Sequence, residues 1–231
     1  MNDAIPKDLS RLDAHQRLNA FDAALLDRTP DPELERLVVR ATEVSGFPIA
    51  LVSLVVDQIQ FFRAQAGLPP ELASSRATDR CISFCQYVVA GDQPLKIEDA
   101  TKEPALPTEL VDTYGIRAYV GFPLRVAGQT VGSFCVIDGK PGRLEPKQLE
   151  ELQALAQAAS ARLETLARKW APPANAAEEQ SHRAWMAVAE TQSLMSLSEQ
   201  FASGKLSLEE FQRALSVLAA LSGKLEPAAH E

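Results

Sequence analysis

Histidine is nearly missing from this sequence. Only His15, His182 and His230 occur in 231 residues, and none lies in the strand-forming runs between residues 49 and 138. Haem attachment, imidazole zinc sites and histidine acid–base catalysis normally need a histidine inside the pocket. No metal, no cofactor and no catalytic residue is therefore assigned. Cysteine is equally scarce: Cys81, Cys85 and Cys135 are an odd number with no Cys-x-x-Cys pair. That argues against a disulfide framework and fits a reducing compartment. A run of about eighteen apolar residues, as a membrane span needs, is absent. The richest run, Phe47 to Val56, reads as a buried strand. The start, Met1-Asn2-Asp3, lacks the basic and apolar pattern of a signal peptide, so a cytoplasmic protein with no membrane contact is expected. The 23 basic residues are scattered against 31 acidic ones, for a net charge of −8. A nucleic-acid footprint needs a dense basic patch, so no nucleic-acid partner is expected. Phosphate-cradling glycine loops, nucleophile elbows, and kinase or cyclase signatures are missing too.

What is present is a core of useful size, with 46% hydrophobic residues, and a clear change of period along the chain. Residues 9–28 read as a helix with Leu18, Phe21 and Leu25 on one stripe. Asp31-Pro32 supplies an N-cap followed by proline in the first turn, and Gly46 with Pro48 ends the second helix. Ile49–Val56 and Ile59–Ala66 then read as a hairpin turning at Asp57-Gln58, because β-branched residues dominate there. Asp79 is expected to cap a short helix running to Ala90. Leu95–Glu98 reads as a short strand, and Thr108–Thr113 as a short helix in a loop. Arg117–Val126 and Gln129–Asp138 form a second hairpin around Ala127-Gly128. A helix of roughly 35 Å follows Glu145-Pro146, with Leu149, Leu152, Ala156, Ala159, Leu163 and Leu166 in a heptad-like seam. The expected organisation is an N-terminal helix in 1–30, a mixed domain in 31–170, a proline-rich linker in 171–177 and a helical tail in 178–226. In that tail Ser207-Leu208-Glu209-Glu210 forms a capping box.

The strings FPIALVSLVVDQIQFFRAQAGL, ISFCQYVV, LKIEDATKEP, GIRAYVGFPL and VGSFCVIDGKPGRLEPKQLEEL stand in this order. Together they resemble a GAF domain of the bacterial signalling type, over about residues 15–168. The resemblance implies an α+β fold: a central antiparallel sheet with helices on one face, a ligand pocket on the other, and terminal helices packed into a dimer bundle. An appended C-terminal helical hairpin lies outside it. Cyclic-nucleotide-binding members carry an Asn-Lys signature that Lys96–Leu110 lacks. Bilin-binding members follow the pocket cysteine with histidine, whereas here Ile82 follows Cys81 and Gln86 follows Cys85.

Candidate pocket residues are Phe62, Cys81, Ser83, Cys85, Asp99, Tyr114, Arg117, Tyr119 and Cys135. Cys81 and Cys85, four apart, share a face if their segment is helical. Buried structural thiols are the ordinary reading of Cys85 and Cys135, while Cys81 beside Arg80 is the better candidate for reactivity. Arg117 can meet a carboxylate or phosphate ligand, or form a surface ion pair with Asp112 or Glu109. Leu149, Leu152, Leu163 and Leu166 either pack on the domain's own sheet or form a homodimer seam. Trp185, Phe201 and Phe211 are candidate anchors for a protein partner. The expected function is a non-catalytic sensor or adaptor that holds a small molecule or a protein. The alternatives are an adaptor with no ligand, or an enzyme like the free methionine-sulfoxide reductases using Cys81, Cys85 and Cys135.

Overall fold

The computed structural model describes residues 5–169, apart from 19, 22–23, 57–58, 107–110 and 113. The described residues belong to one compact unit, Met1–Trp170. The expected linker and tail, with Trp185, Phe201 and Phe211, lie outside them, as do the turn at Asp57-Gln58 and most of the short helix expected at Thr108–Thr113.

Six strands form one antiparallel sheet: β1 (Ile49–Val56), β2 (Ile59–Ala66), β3 (Ala77–Asp79), β4 (Leu95–Ile97), β5 (Ala118–Val126) and β6 (Gln129–Asp138). Their order across the sheet is β3-β2-β1-β6-β5-β4. The two hairpins thus lie side by side, with β1 and β6 paired at the centre. Both central strands are buried on both faces, which explains why they read as almost unbroken apolar runs.

Helices α2 (Pro32–Ser45) and α5 (Pro146–Lys169) cover one face. Ala50, Val52 and Leu54 of β1, Val120, Phe122 and Leu124 of β5, and Phe134 and Val136 of β6 pack beneath them. Asp31 caps α2 as the sequence implies, accepting from the amides of Glu33 and Leu34. On α5, Leu152, Ala156, Ala159 and Leu163 are buried against the sheet, while Leu149 and Leu166 are half-buried at its margin. Leu152 and Leu163 therefore belong to the core of this chain and have no surface left for a partner helix. Two further bonds fix α5 to the second hairpin: Ser160 Oγ accepts from the Arg125 amide at 3.1 Å, and Glu164 Oε1 from the Ala127 amide at 2.6 Å.

The opposite face is covered by shorter pieces. These are the N-terminal segment, α3 (Pro70–Ser75), a 3-10 turn at Arg80–Ile82, α4 (Cys85–Gly91) and the loop after β4. Leu51, Val55, Tyr119, Cys135 and Ile137 of the sheet meet Leu12, Phe84, Val88 and Val89 there. A register shift in β2 after Val52 leaves Arg63 without an opposite residue on β1. It reverses the inside–outside alternation, so Phe62 faces this side and Ala64 the helix side.

Two expectations are corrected. Residues 9–28 do not form one helix: a 3-10 turn at Ser10–Asp13 is followed by the four-residue α1 (His15–Leu18). The cause is tertiary. Arg17 is 1% exposed, and its guanidinium donates to the carbonyl oxygens of Leu12 and Val55. The helical path breaks at Ala14, whose backbone is extended at ψ 123°, and the turn there aims Arg17 inward. Nor does an α-helix start at Asp79. That residue lies on β3, paired with Ile59, and α4 begins only at Cys85. Cys81 sits in the exposed 3-10 turn and Cys85 in the core, so the two do not share a helical face.

Candidate functional site

Side chains of alternate residues on a strand point to one face. Tyr119 on β5, Ser133 and Cys135 on β6, and Ser53 on β1 therefore converge on the side covered by α4. Ser53 pairs directly with Ser133, and Gly121 with Cys135. Gly121 leaves the space in which the Tyr119 ring lies: a Cβ there would come within 2.3 Å of the Tyr119 hydroxyl and 2.6 Å of Ser133 Oγ.

These residues form one buried polar cluster around Cys85. Cys85 Sγ is 3.8 Å from Cys135 Sγ. Tyr119 Oη donates to Cys85 Sγ at 3.4 Å and lies 2.9 Å from Ser133 Oγ, its natural donor. Gln60 Nε2 of β2 donates to the same sulfur at 3.4 Å, while its Oε1 accepts from Thr78 Oγ1 of β3. Ser83 Oγ accepts from the Cys85 amide at 3.0 Å and so shapes the entry to α4. Phe84 stands edge-on to Tyr119 at 5.3 Å between centroids. The Ser53 hydroxyl, also buried here, makes no hydrogen bond of normal geometry.

The electrostatics follow from this geometry. Burial pushes the Cys85 thiol up, but hydrogen bonding from the Cys135 thiol and the Tyr119 hydroxyl, with the Ser53 and Ser83 hydroxyls close by, outweighs it and brings the thiol down to about 6. Cys135 moves the other way: burial and the neighbouring Cys85 sulfur hold it well above the ordinary thiol value. Tyr119 is likewise raised by burial and by the two sulfurs, so it stays a donor. The arrangement thus favours the thiolate on Cys85 over one on Cys135. Replacing Tyr119 with phenylalanine removes one of these donors. In a Cys81→Ser background, thiolate absorbance near 240 nm should then titrate about one pH unit higher, since a hydrogen bond to a charged group contributes about 1.5 kcal/mol. An unmoved midpoint would remove Tyr119 from this role.

The structure brings Phe62, Ser83, Cys85, Tyr119 and Cys135 together, all buried. It does not bring the other four candidates to them. Cys81 and Tyr114 are exposed. Arg117 and Asp99 are engaged with each other at the end of β4: Arg117 Nε and Nη2 donate to Asp99 Oδ1 at 3.1 and 3.0 Å. Bonds from Thr101 and then Arg117 hold the Asp99 carboxyl down at about 2. Among the described residues Arg117 thus pairs with Asp99 and not with Asp112, while Glu109 lies outside them. The sequence reading missed Ser53, Gln60, Thr78 and Ser133. The signal for the two serines was available in the two-residue step from Ser133 to Cys135 and in their central-strand positions. Gln60 and Thr78 depend on the short edge strand β3. Among the described residues, no group of three metal-ligating side chains forms.

Two anchors set how this side can move. The far end of α4 is fastened at Asp92, which pairs with Arg11 and Arg125 at 2.8 Å each and accepts from Thr130. Gln86 Nε2 of α4 donates to the Cys81 carbonyl oxygen at 3.1 Å, tying the 3-10 turn to the helix.

The GAF domain family model matches residues 29–163 of the chain. A cyclic di-GMP phosphodiesterase of Pseudomonas aeruginosa is 36% identical over 159 residues, covering 67% of this chain and 26% of that protein. The chain therefore spans about a quarter of that relative's length. Among solved structures, the GAF domain of an Acinetobacter phosphoenolpyruvate-protein phosphotransferase aligns with a TM-score of 0.51 at 17% identity, covering 71% of this chain and 95% of that one. The Thermosynechococcus elongatus PixJ GAF domain, in its blue-light absorbing form, aligns with a TM-score of 0.47 at 17% identity over 70% of this chain and 91% of that one.

Proposed function

The chain belongs to the GAF domain family, and on that premise we propose that it is a non-catalytic sensor or adaptor of bacterial signal transduction, cytoplasmic and homodimeric. Its input is a small molecule or a protein partner acting at the face closed by α4. Its output runs through helical contacts: Leu149 and Leu166 at the margin of α5, and Trp185, Phe201 and Phe211 in the tail of residues 178–226. One observation carries the reading. The buried polar groups of that face, Gln60, Ser83, Cys85, Tyr119 and Ser133, bind one another beneath a short helix. An incoming molecule exchanges hydrogen bonds with them and shifts α4, which is the behaviour of a receptor. The phosphodiesterase activity stated in the relative's name is not carried over, because the chain spans 26% of that protein.

Native mass spectrometry of the purified full chain tests this. The expected species is a dimer at twice the 25.1 kDa chain mass. A retained small molecule favours the sensor, and an unliganded dimer favours the adaptor. A bare monomer, or hydrolysis of added cyclic di-GMP by the same sample, would overturn the proposal. The adjacent sulfurs of Cys85 and Cys135 favour a second reading, reduction of free methionine sulfoxide with Cys81 as the third thiol. Consumption of NADPH with thioredoxin and that substrate supports it. Undiminished consumption in Cys81→Ser and Cys85→Ser chains removes it.

A further inference from the structure

Two cysteines fifty residues apart in sequence meet at the centre of the buried polar cluster, and they differ in character. We propose that Cys85 and Cys135 form a reversible redox couple, a dithiol that a hydroperoxide converts to a disulfide, and that bond formation moves α4 against the sheet. This input is separate from any ligand taken by the same face.

The chemistry needs a nucleophilic sulfur and a resolving sulfur within reach. Cys85 Sγ is the point on which Tyr119 Oη, Gln60 Nε2 and the Cys135 thiol converge, and each of these donors favours its thiolate. The titratable groups facing it are Tyr119 from β5 and Cys135 from β6. Cys135 is held protonated beside it. In the first step the Cys85 thiolate attacks the peroxide oxygen. An S–O bond forms, the O–O bond breaks, and hydroxide leaves to be protonated to water. In the second step Cys135 Sγ attacks the sulfur of the Cys85 sulfenic acid, its thiol proton leaves with the hydroxyl group as water, and the S–S bond closes. Two thiols lose two electrons and one hydrogen peroxide gains them, giving two waters. A cellular dithiol restores the pair.

Both sulfurs are buried, at 2% exposure for Cys85 and 1% for Cys135. Oxidation therefore waits on local opening of the 3-10 turn and the first turn of α4. The geometry says what moves. The sulfurs must close from 3.8 Å to about 2.05 Å. Cys135 cannot travel, because β6 is paired on both sides at that residue, with Leu51 and Gly121. The far end of α4 is held at Asp92 by Arg11, Arg125 and Thr130. The proposal therefore places the movement in the Cys85 side chain and the N-terminal turn of α4, which swings toward the sheet. Tyr119 and Gln60 at the same time lose their charged acceptor, so the cluster repacks. Tyr87, Val88 and Val89 travel with the helix and carry the change to Leu12 of the N-terminal segment, which packs in the same cluster.

The test uses the full chain, folded, treated with graded hydrogen peroxide, alkylated and digested without reductant. Weighed before alkylation, the intact chain should lose about 2 Da, the mass of two hydrogens removed as the disulfide forms. A peptide carrying Cys85 linked to Cys135 should appear, Cys81 should remain alkylated, and dithiothreitol should reverse the change. The loss should persist in Cys81→Ser and disappear in Cys135→Ser. The linked peptide in the wild-type chain decides the matter even where the Cys135 variant does not fold. Hydrogen exchange should show altered protection at residues 82–91 in the oxidised chain. The proposal fails if peroxide yields only Cys81-linked dimers. It fails equally if Cys85 stops at a sulfinic acid with Cys135 unlinked, or if the linked peptide appears only in denaturant.

Discussion

Gly132→Ala should cost the folded state about 4 kcal/mol, and the reason is steric. Gly132 lies on β6 opposite Leu54 of β1 and Leu124 of β5, with a strand on either side. A Cβ there would stand 2.0 Å from the Ser53 carbonyl oxygen and 2.9 Å from Leu54 Cα. These are backbone atoms held in a ladder, so no side chain can swing away to make room. Relief requires β1 and β6 to part locally. Overpacking of this kind costs about 1–3 kcal/mol where side chains can adjust, and each ladder hydrogen bond lost adds about 1 kcal/mol. A domain of this size loses about 2–4 °C of melting temperature per kcal/mol, so thermal unfolding followed by circular dichroism should fall by roughly 10 °C. A midpoint within about 2 °C of wild type, equivalent to less than about 1 kcal/mol, would show that the sheet is looser at its centre than described.

The second large effect belongs to Asp31. Its Oδ1 accepts from the amides of Glu33 and Leu34 at 3.2 and 3.1 Å. Its Oδ2 takes Arg162 Nε and Nη2 at 3.1 and 2.7 Å. One carboxylate thus caps α2 and clamps it to α5, with 6% of its side chain exposed against 22% for Arg162. Asp31→Ala loses the cap, worth about 1 kcal/mol. It also leaves the largely buried Arg162 guanidinium with only the more exposed Glu33 carboxylate, 3.4 Å from its Nε, as a partner, for which a discounted share of the 3–5 kcal/mol of a fully buried pair applies. A total near 3 kcal/mol is expected in urea unfolding, with Asp31→Asn intermediate because the amide oxygen still caps. Acid should tell the same story. Burial opposes ionisation of Asp31, but the bonds from Arg162 and the Leu34 amide prevail and hold it below the usual 3.8. A group depressed in the folded state stabilises above its unfolded pKa and loses that contribution as pH falls through the folded one. Stability should therefore drop below about pH 4, and Asp31→Asn should flatten part of that drop. The remainder belongs to Asp92 and Asp99, with a smaller share from the exposed Asp8, all lowered as well. An unchanged acid limb in Asp31→Asn would dissociate the clamp from acid stability.

Local signals account for the parts that could be read in advance. Asp31-Pro32 and Gly46 bound α2 by capping chemistry alone. The two hairpins and α5 announce themselves by period. The errors fall where a distant partner decides. The helix expected over residues 9–28 breaks at the extended Ala14, where Arg17 turns inward to the carbonyl of Val55, thirty-eight residues on. The helix expected from Asp79 gives way because the next three residues turn and Ala77–Asp79 adds an edge strand to β2. Neither contact leaves a trace in local propensity. The cluster was half legible for the same reason. Alternation on β5 and β6 places Tyr119 and Cys135 together, but only the tertiary seat of α4 brings Cys85 to them.

The unmatched Arg63 in β2 has a consequence for how related chains may vary. Downstream of it, every side chain of that strand keeps its proper face only because one residue is spare. Removing that residue would turn the pleat by one step and present Phe62 or Ala64 to the wrong half of the interior. A gap at this point in a relative should therefore be accompanied by a swap of large and small residues on one flank, a compensation that β6 would also require at Val131, the residue left unmatched against β5.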